Sequence, residues 1–467
     1  MTTFQVEFFS LARAIREAGD PAGHFLREAD HCVALSDLLA GSALYGRADE
    51  LQGRSVLLAT KGQLTTASAL IELDGVARRV VLCPPDLPLE HLPHVMELAE
   101  VNSIVSDRDV TRFSGPRSLY FSPCSRNLMP AGAMGPADRE TEWILLTSGT
   151  TGAPKLVLHT LASLTAGIRR GRSSGRPIVW STYYDIRRYG GLQILLRALL
   201  TGTSLVLPGA DESTAAFLER AGSFGVTHIS GTPSHWRRAL MSPAIHRLNP
   251  EYVRLSGEAP DQTILNSLRE IFPKARIVHA FASTEAGLAF EVDDAMAGFP
   301  PKAMASIPGV EISVREGTLH IRSAGNASRY LGDHAPTLKE SDGWVNTGDL
   351  LEMREGRYFF CGRRDGVINV GGLKVHPEEI ESVIGRHPEV QTCLVRGKKS
   401  RITGALVIAD VVLRQGAGRD EGDIPSIEED ILQLCRESLA AHKVPAAIHI
   451  VPMLALSEAG KVLRHHA

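Results

Sequence analysis

The chain has six cysteines in 467 residues and no CxxC pair among them. Cys32, Cys83, Cys124, Cys361, Cys393 and Cys435 are too scattered for a disulfide framework or a zinc site, and read as reduced, mostly buried thiols. Charge imbalance is also scarce: the formal net charge is -3, which excludes a strong overall preference for nucleic acid or anionic membrane. Long apolar runs are missing too. The opening MTTFQVEFFSLARAIREAGD carries acids, which argues against a signal peptide or a membrane span and for a cytoplasmic protein. No repeat, long low-complexity tract or carrier domain interrupts the rest.

What is present has the profile of a soluble globular protein, with 43% hydrophobic and 22% charged residues. The length calls for two or more domains. Short apolar runs at 55–60, 79–84, 142–148, 177–182, 203–208, 226–231, 252–257 and 276–281 predict buried strands, several of them parallel because both faces are apolar. LQILLRALLTG (192–202) has helical spacing and a glycine stop. This alternation predicts an α/β architecture. From about 305 the texture changes: GVEISVREGTLHIRS and DLLEMREGRYFFCG each alternate about a Glu-Gly pair, as hairpins do. Beyond GRRDG (362–366), a strand pair, a helix over 377–390, a strand over 404–413 and a helix over 427–442 form a compact α+β unit.

The densest chemistry lies in LLTSGTTGAPKLVLHT (145–160). Glycines allow successive N–H groups of Thr147, Ser148, Gly149, Thr150, Thr151 and Gly152 to converge, hydroxyls add donors, and Lys155 adds a positive charge. Polyphosphate is the natural guest. A Walker A loop would place its lysine directly after the second glycine and follow it with Ser or Thr; here Ala153 and Pro154 intervene, so this is no kinase or GTPase loop.

Six stretches in order resemble the adenylate-forming superfamily of acyl-CoA synthetases, peptide-synthetase adenylation domains and beetle luciferases. T-S-G-T-T-G-x-P-K is similar to its phosphate loop, LSGEAP (255–260) to its adenine-side turn, and HAFASTEAG (279–287) to its aromatic-Gly-x-Thr-Glu segment. WVNTGDL (344–350), GRRDGVINVGGLKVHPEEIE (362–381) and EAGKVLR (458–464) resemble its Thr-Gly-Asp, interdomain and C-terminal Gly-Lys motifs. The resemblance implies a large N-terminal AMP-binding domain (1–362) of packed α/β sheets plus a distorted β-barrel-like part, and a mobile C-terminal α+β domain (363–467).

It also implies a chemistry: a carboxylic acid is joined to the α-phosphate of ATP, then passed to a thiol. Charge gathers in the first step, so a metal and cations must stabilise it. By resemblance Glu285 binds Mg²⁺ and Thr284 faces the α-phosphate. Gly257, Glu258, Phe281 and Ala282 lie beside the nucleotide, Asp349 accepts from the ribose hydroxyls and Arg363 supports it. Lys461 bridges the carboxylate and the α-phosphate, Asp365 is the hinge, and Gly371-Gly372 flank the arm of CoA or of a carrier protein's phosphopantetheine.

The sequence departs from the family pattern in two places. Phe281-Ala282 replaces an aromatic-Gly pair, and TYYDIRRYGGL (182–192) has neither usual acid-pocket pattern. There Tyr184, Arg187 and Tyr189, with Ala282, are the acid-contact candidates; Arg187 or Arg188 either fixes a remote polar group of the substrate or is solvated. The tyrosines, with His235 and Trp236, suggest an aromatic or modest-sized acid, or are ordinary core. Two further readings stand beside the ligase: a nucleotide- or acyl-adenylate-binding homologue without turnover, and an acyl-AMP oxygenase.

Overall fold

The computed structural model describes residues 10–18, 21–29, 31–108, 119–130, 139–147, 153–168, 177–370, 373–400, 404–414 and 424–454. They pack into two compact units: 1–297, 302–312 and 320–347 make one, and 298–301, 313–319 and 348–467 the other.

The first unit is built on two sheets. The seven-stranded sheet runs Arg329–Tyr330, Lys155–His159, Glu142–Thr147, Arg79–Leu82, Ser55–Leu58, Ser103–Ser106, Tyr120–Pro123. From Glu142–Thr147 onward its neighbours are parallel; Lys155–His159 and Arg329–Tyr330 are added antiparallel. The eight-stranded sheet runs Gly287–Val292, Arg276–Ser283, Tyr252–Ser256, His228–Gly231, Val179–Thr182, Ser204–Leu207, Phe25–Glu28, His31–Ala34, with antiparallel pairs only at its two ends. Alternation sorts the side chains into layers. Val56 and Leu58 face one core with Trp180, Leu205 and the helices Gln63–Leu73 and Tyr189–Thr201, while Leu57 faces another with Val81, Ile144 and Val95. On the far side of the second sheet, Val253, Leu255 and Ile277 pack on Thr214–Ser223, Pro233–Leu240 and Gln262–Ile271. Two helices are thus clamped between two sheets, with further helices outside. Gly202 ends the central helix at φ +60°, the left-handed stop its sequence predicts.

Both Glu-Gly pairs are hairpin turns: Glu316 and Gly317 have φ +50° and +72°, Glu355 and Gly356 +47° and +76°. Their strands belong to an open four-stranded sheet. Among the described residues no closed barrel forms, so the barrel-like part expected there is an open sheet.

In the second unit, Val390–Ser400 and Gly404–Leu413 pair antiparallel, and Ala447–Ile450 adds parallel. Ile380, Val383 and Ile384 from Pro377–Ile384, and Ile427, Ile431 and Cys435 from Ile424–Ser438, fill its core. The first of these helices stops at Gly385 rather than continuing to 390, because Pro388 lies ahead and Val390 already begins a strand.

Candidate active site

Thr147 ends one strand of the first sheet and Lys155 begins the next, and the two residues pair directly across the antiparallel ladder. The phosphate-loop candidates Ser148, Gly149, Thr150, Thr151 and Gly152 lie outside the described residues, as do Gly371, Gly372 and Lys461. Lys155, Val157 and His159 share one face of their strand. Tyr330 pairs with Val157 and so shares that face. The Lys155 ammonium sits over the Tyr330 ring, 5.4 Å from its centroid, and the Tyr330 hydroxyl donates to Glu285 Oε1 at 3.1 Å.

Glu285 belongs to the short connection between Arg276–Ser283 and Gly287–Val292, where Ser283 and Gly287 still pair. The turn is pinned at several points. Ala286 N–H donates to Ser283 Oγ (3.0 Å), and Ala327 N–H donates to the Glu285 carbonyl (2.9 Å). His159 Nε2 lies 2.7 Å from the Thr284 carbonyl. Gly287 has φ +72°, and a Cβ there would come within 2.7 Å of the Gly325 carbonyl oxygen, so only glycine fits. Thr284 and Glu285 themselves stay partly exposed. Among the described residues neither Lys155 nor Glu285 has an ion-pair partner. A cation and a carboxylate, kept near one phenol without pairing, can engage an outside ligand.

The same donor set speaks to the metal. No group of three or more His, Cys, Asp and Glu side chains that could cage an ion occurs among the described residues. Mg²⁺ is commonly held by one or two carboxylates together with phosphate oxygens and waters. Glu285 at a partly exposed turn fits that arrangement.

The neighbouring turn begins where Tyr252–Ser256 ends, with Gly257 at φ +84°. Glu258 accepts from Ser234 N–H (3.0 Å) and Ser234 Oγ (2.8 Å), which fastens it to the first turn of Pro233–Leu240. The Phe281 ring stacks on Phe290 at 5.7 Å, and a register shift falls between Phe281 and Ala282. Tyr184 and Tyr189 are both buried; the Tyr184 hydroxyl bonds to the Ser256 carbonyl at 2.7 Å, and the Tyr189 ring lies 5.9 Å from that of His159. Burial raises the pKa of both phenols, which therefore stay protonated. His235 caps its helix with Thr232 and stacks on Tyr183. Burial pushes its pKa down to about 3, so it is neutral.

The two arginines of this segment are engaged elsewhere. Arg187 is 2% exposed: its Nε and Nη2 donate to the two carboxylate oxygens of Asp185 (2.7 and 2.5 Å), and its Nη1 to the carbonyls of Thr60 and Lys61. Arg188 is paired with Asp86. Arg187 is not solvated, and both guanidiniums tie the 182–191 segment to the first sheet.

In the second unit Asp349 and Arg363 stand directly opposite each other across the hairpin of Val345–Arg354 and Arg357–Arg363. Gly348 precedes the carboxylate at φ +74°. Asp365 lies in the short turn Arg364–Gly366.

His159 and Tyr330 were not singled out in the sequence. One signal was available: in KLVLH, a histidine recurs on the lysine's face four residues later. Tyr330 had none, because its place depends on a strand paired over a long range.

Comparison with known proteins places the chain in a family. A family profile described as AMP-binding enzyme matches residues 75–331, and one described as AMP-binding enzyme C-terminal domain matches 379–461. The acetyl-coenzyme A synthetase of Bacillus subtilis (strain 168) is 25% identical over 84% of this chain and 72% of its own. The 2-succinylbenzoate–CoA ligase of Listeria innocua is 27% identical over 70% of this chain and 69% of its own. A benzoate CoA ligase from Burkholderia xenovorans LB400 shares the fold, with a TM-score of 0.81 at 20% identity over 97% of this chain and 99% of the other.

Proposed function

This chain belongs to the AMP-binding enzymes of the adenylate-forming superfamily, and from that premise we propose that it activates an aromatic monocarboxylic acid at the Lys155–Tyr330–Glu285 face. The reaction type is that of an ATP-dependent acid–thiol ligase: the acid becomes an acyl-adenylate with release of pyrophosphate, and the acyl group then passes to the thiol of CoA. A separate carrier protein bearing phosphopantetheine is the other acceptor that fits this chemistry.

The residues divide the work. Lys155 and the loop it follows hold the phosphates, and Thr284 orients the α-phosphate. Glu285 holds Mg²⁺, which supplies charge neutralisation on the phosphate oxygens when bound. Asp349 accepts from the ribose hydroxyls in a charge-assisted pair of bonds, with Arg363 opposite to support it. Phe281 and the Gly257-Glu258 turn flank the base. Lys461 brings a second cation to the reacting carboxylate, Asp365 is the pivot, and Gly371-Gly372 line the thiol's path. No observation favours a homologue that only binds.

The observation that carries the substrate class is the internal engagement of Arg187 and Arg188. With these guanidiniums spent and His235 neutral, the acid-pocket candidates Tyr184, Tyr189 and Ala282 present no spare cation. That favours an acid whose remote end is apolar and aromatic, in keeping with the benzoate CoA ligase whose fold it shares. Pyrophosphate release across a panel tests this. Benzoate-type acids are expected to exceed both acetate and aromatic dicarboxylates, and a preference for a dicarboxylate would overturn the assignment.

A further inference from the structure

His159 is completely buried, yet it lies at the end of an apolar strand with both ring nitrogens engaged. Nε2 is 2.7 Å from the Thr284 carbonyl and Nδ1 is 2.9 Å from Ser163 Oγ. Burial pushes its pKa down to about 4, so the ring is neutral and carries one proton. A carbonyl can only accept, which assigns that proton to Nε2; Nδ1 is then an acceptor, and the Ser163 hydroxyl 2.9 Å away shares its one proton between Nδ1 and the Thr160 carbonyl at 3.0 Å. Ser163 is itself fixed, because its Oγ accepts from Thr160 N–H (3.1 Å) in the capping box of Leu161–Thr165. The tautomer is therefore set by the Thr284 carbonyl.

The bond has a geometric consequence. The peptide joining Thr284 to Glu285 is planar and trans, so drawing its carbonyl toward His159 turns the Glu285 N–H the opposite way. The Glu285 carbonyl is separately anchored by Ala327 N–H. Both peptides flanking the Glu285 Cα are thus held, one of them by the strand that begins with Lys155. His159 lies four residues along that strand, roughly 13 Å away at 3.2–3.4 Å per residue.

We propose that His159 is a positioning residue for adenylation: through the Thr284 carbonyl it holds the Glu285 turn in fixed register with the Lys155 strand. The inference rests on the functional reading above, in which Glu285 holds the metal. Groups that orient a metal ligand through a hydrogen bond change metal affinity or activity by about 10–100-fold when removed.

The test compares His159→Phe, which keeps the ring and loses the donor, with His159→Gln, whose amide N–H stands where Nε2 does. Three quantities are read: ATP affinity by calorimetry without metal, the Mg²⁺ concentration that half-saturates its enhancement of ATP binding, and kcat against KM for pyrophosphate formation. In His159→Phe the Mg²⁺ midpoint is expected to rise about 10-fold or more and kcat to fall 10–100-fold. Metal-free ATP affinity should hold, and His159→Gln should recover both losses to within about threefold. An unchanged Mg²⁺ midpoint in His159→Phe overturns the proposal. So does equal impairment of the two variants with equal loss of melting temperature, which would mark His159 as packing alone. If the wild type binds MgATP but turns over no acid, the functional reading fails while the Mg²⁺ midpoints still decide the positioning role.

Discussion

Loops at the carboxyl ends of the two parallel sheets carry similar residues and use them in opposite ways. On the first sheet, the loop after Ser55–Leu58 enters the helix Gln63–Leu73, a ready anion site by its N–H groups. The chain fills that site itself. Asp107 accepts from Lys61 and Gly62 N–H, Glu28 accepts from Gln63 and Leu64 N–H, and Arg187 closes the cluster through Thr60, Lys61 and Asp185. On the second sheet, Glu258 after Tyr252–Ser256 is spent on the first turn of Pro233–Leu240. The turn after Arg276–Ser283, by contrast, is pinned through its backbone, and among the described residues the Glu285 carboxylate accepts from the Tyr330 hydroxyl and has no ion-pair partner. A charged cluster that satisfies itself is structure; one whose backbone is fixed while its charges stay unpaired is equipment for a ligand.

If that distinction holds, substitutions on the two edges fail differently. The largest effect is expected from Arg187→Ala, which leaves Asp185 without its cation in a largely buried setting. Removing one partner of such a pair costs about 3–5 kcal/mol, so the urea midpoint should drop sharply while KM for ATP in the folded fraction is unchanged. An altered substrate preference with intact stability would instead move Arg187 into the site. Next comes Glu285→Gln. Loss of a transition-state charge contact of this kind is worth about 2.7–4 kcal/mol, or 10²–10³ in rate, with melting temperature expected to stay near wild type. A variant that unfolds without losing turnover would reverse the comparison.

Two smaller tests sharpen it. Buried Asp74 accepts from Leu11 N–H and Trp143 Nε1, and burial raises its pKa from 3.8 to about 6. A carboxyl with a raised folded pKa favours the folded state most below the unfolded pKa. That contribution is lost as pH climbs through about 6, an upper bound of about 3 kcal/mol at about 1.4 per pH unit. His235 runs the other way: depressed to about 3, it contributes stability above its ordinary pKa of 6.5 that is lost on acidification. Asp74→Asn should therefore lose stability more steeply than wild type between pH 6 and 4 in denaturant titrations. Parallel curves would show that Asp74 does not titrate there. The smallest effect is expected from Tyr330→Phe. It keeps the ring under Lys155 and removes one hydrogen bond to a carboxylate, worth about 1.5–3 kcal/mol before screening by solvent at this partly exposed turn, so a change in the MgATP requirement of about tenfold should appear in initial-rate kinetics.

The comparison also explains what was legible in the sequence. Eight strands of the two sheets followed from apolar runs, and the Glu-Gly hairpins from turn chemistry, because both are local. Phe25–Glu28, His31–Ala34 and Arg329–Tyr330, at or next to the sheet edges, did not. Thr284, Glu285 and Lys155 stood out by motif, and the structure brings them to one place. The engagement of Arg187 was only half legible: Asp185 lies two residues away, but Thr60 and Lys61 lie more than 120 residues earlier and no local pattern reveals them. His159 and Tyr330 were silent for the same reason: each acts across strands whose pairing is set by the whole sheet.

Such distance also bears on how the chain is made. Phe25–Glu28 sits between Ser204–Leu207 and its own hairpin partner His31–Ala34, and Phe25 N–H donates to Ser204 Oγ, 179 residues away. During synthesis at 5–20 residues per second, one edge of this strand stays bare for roughly 10–35 s before its neighbour exists. A bare strand edge invites foreign pairing. Its sequence, FLRE, places two charges in four residues, a composition that disfavours such pairing.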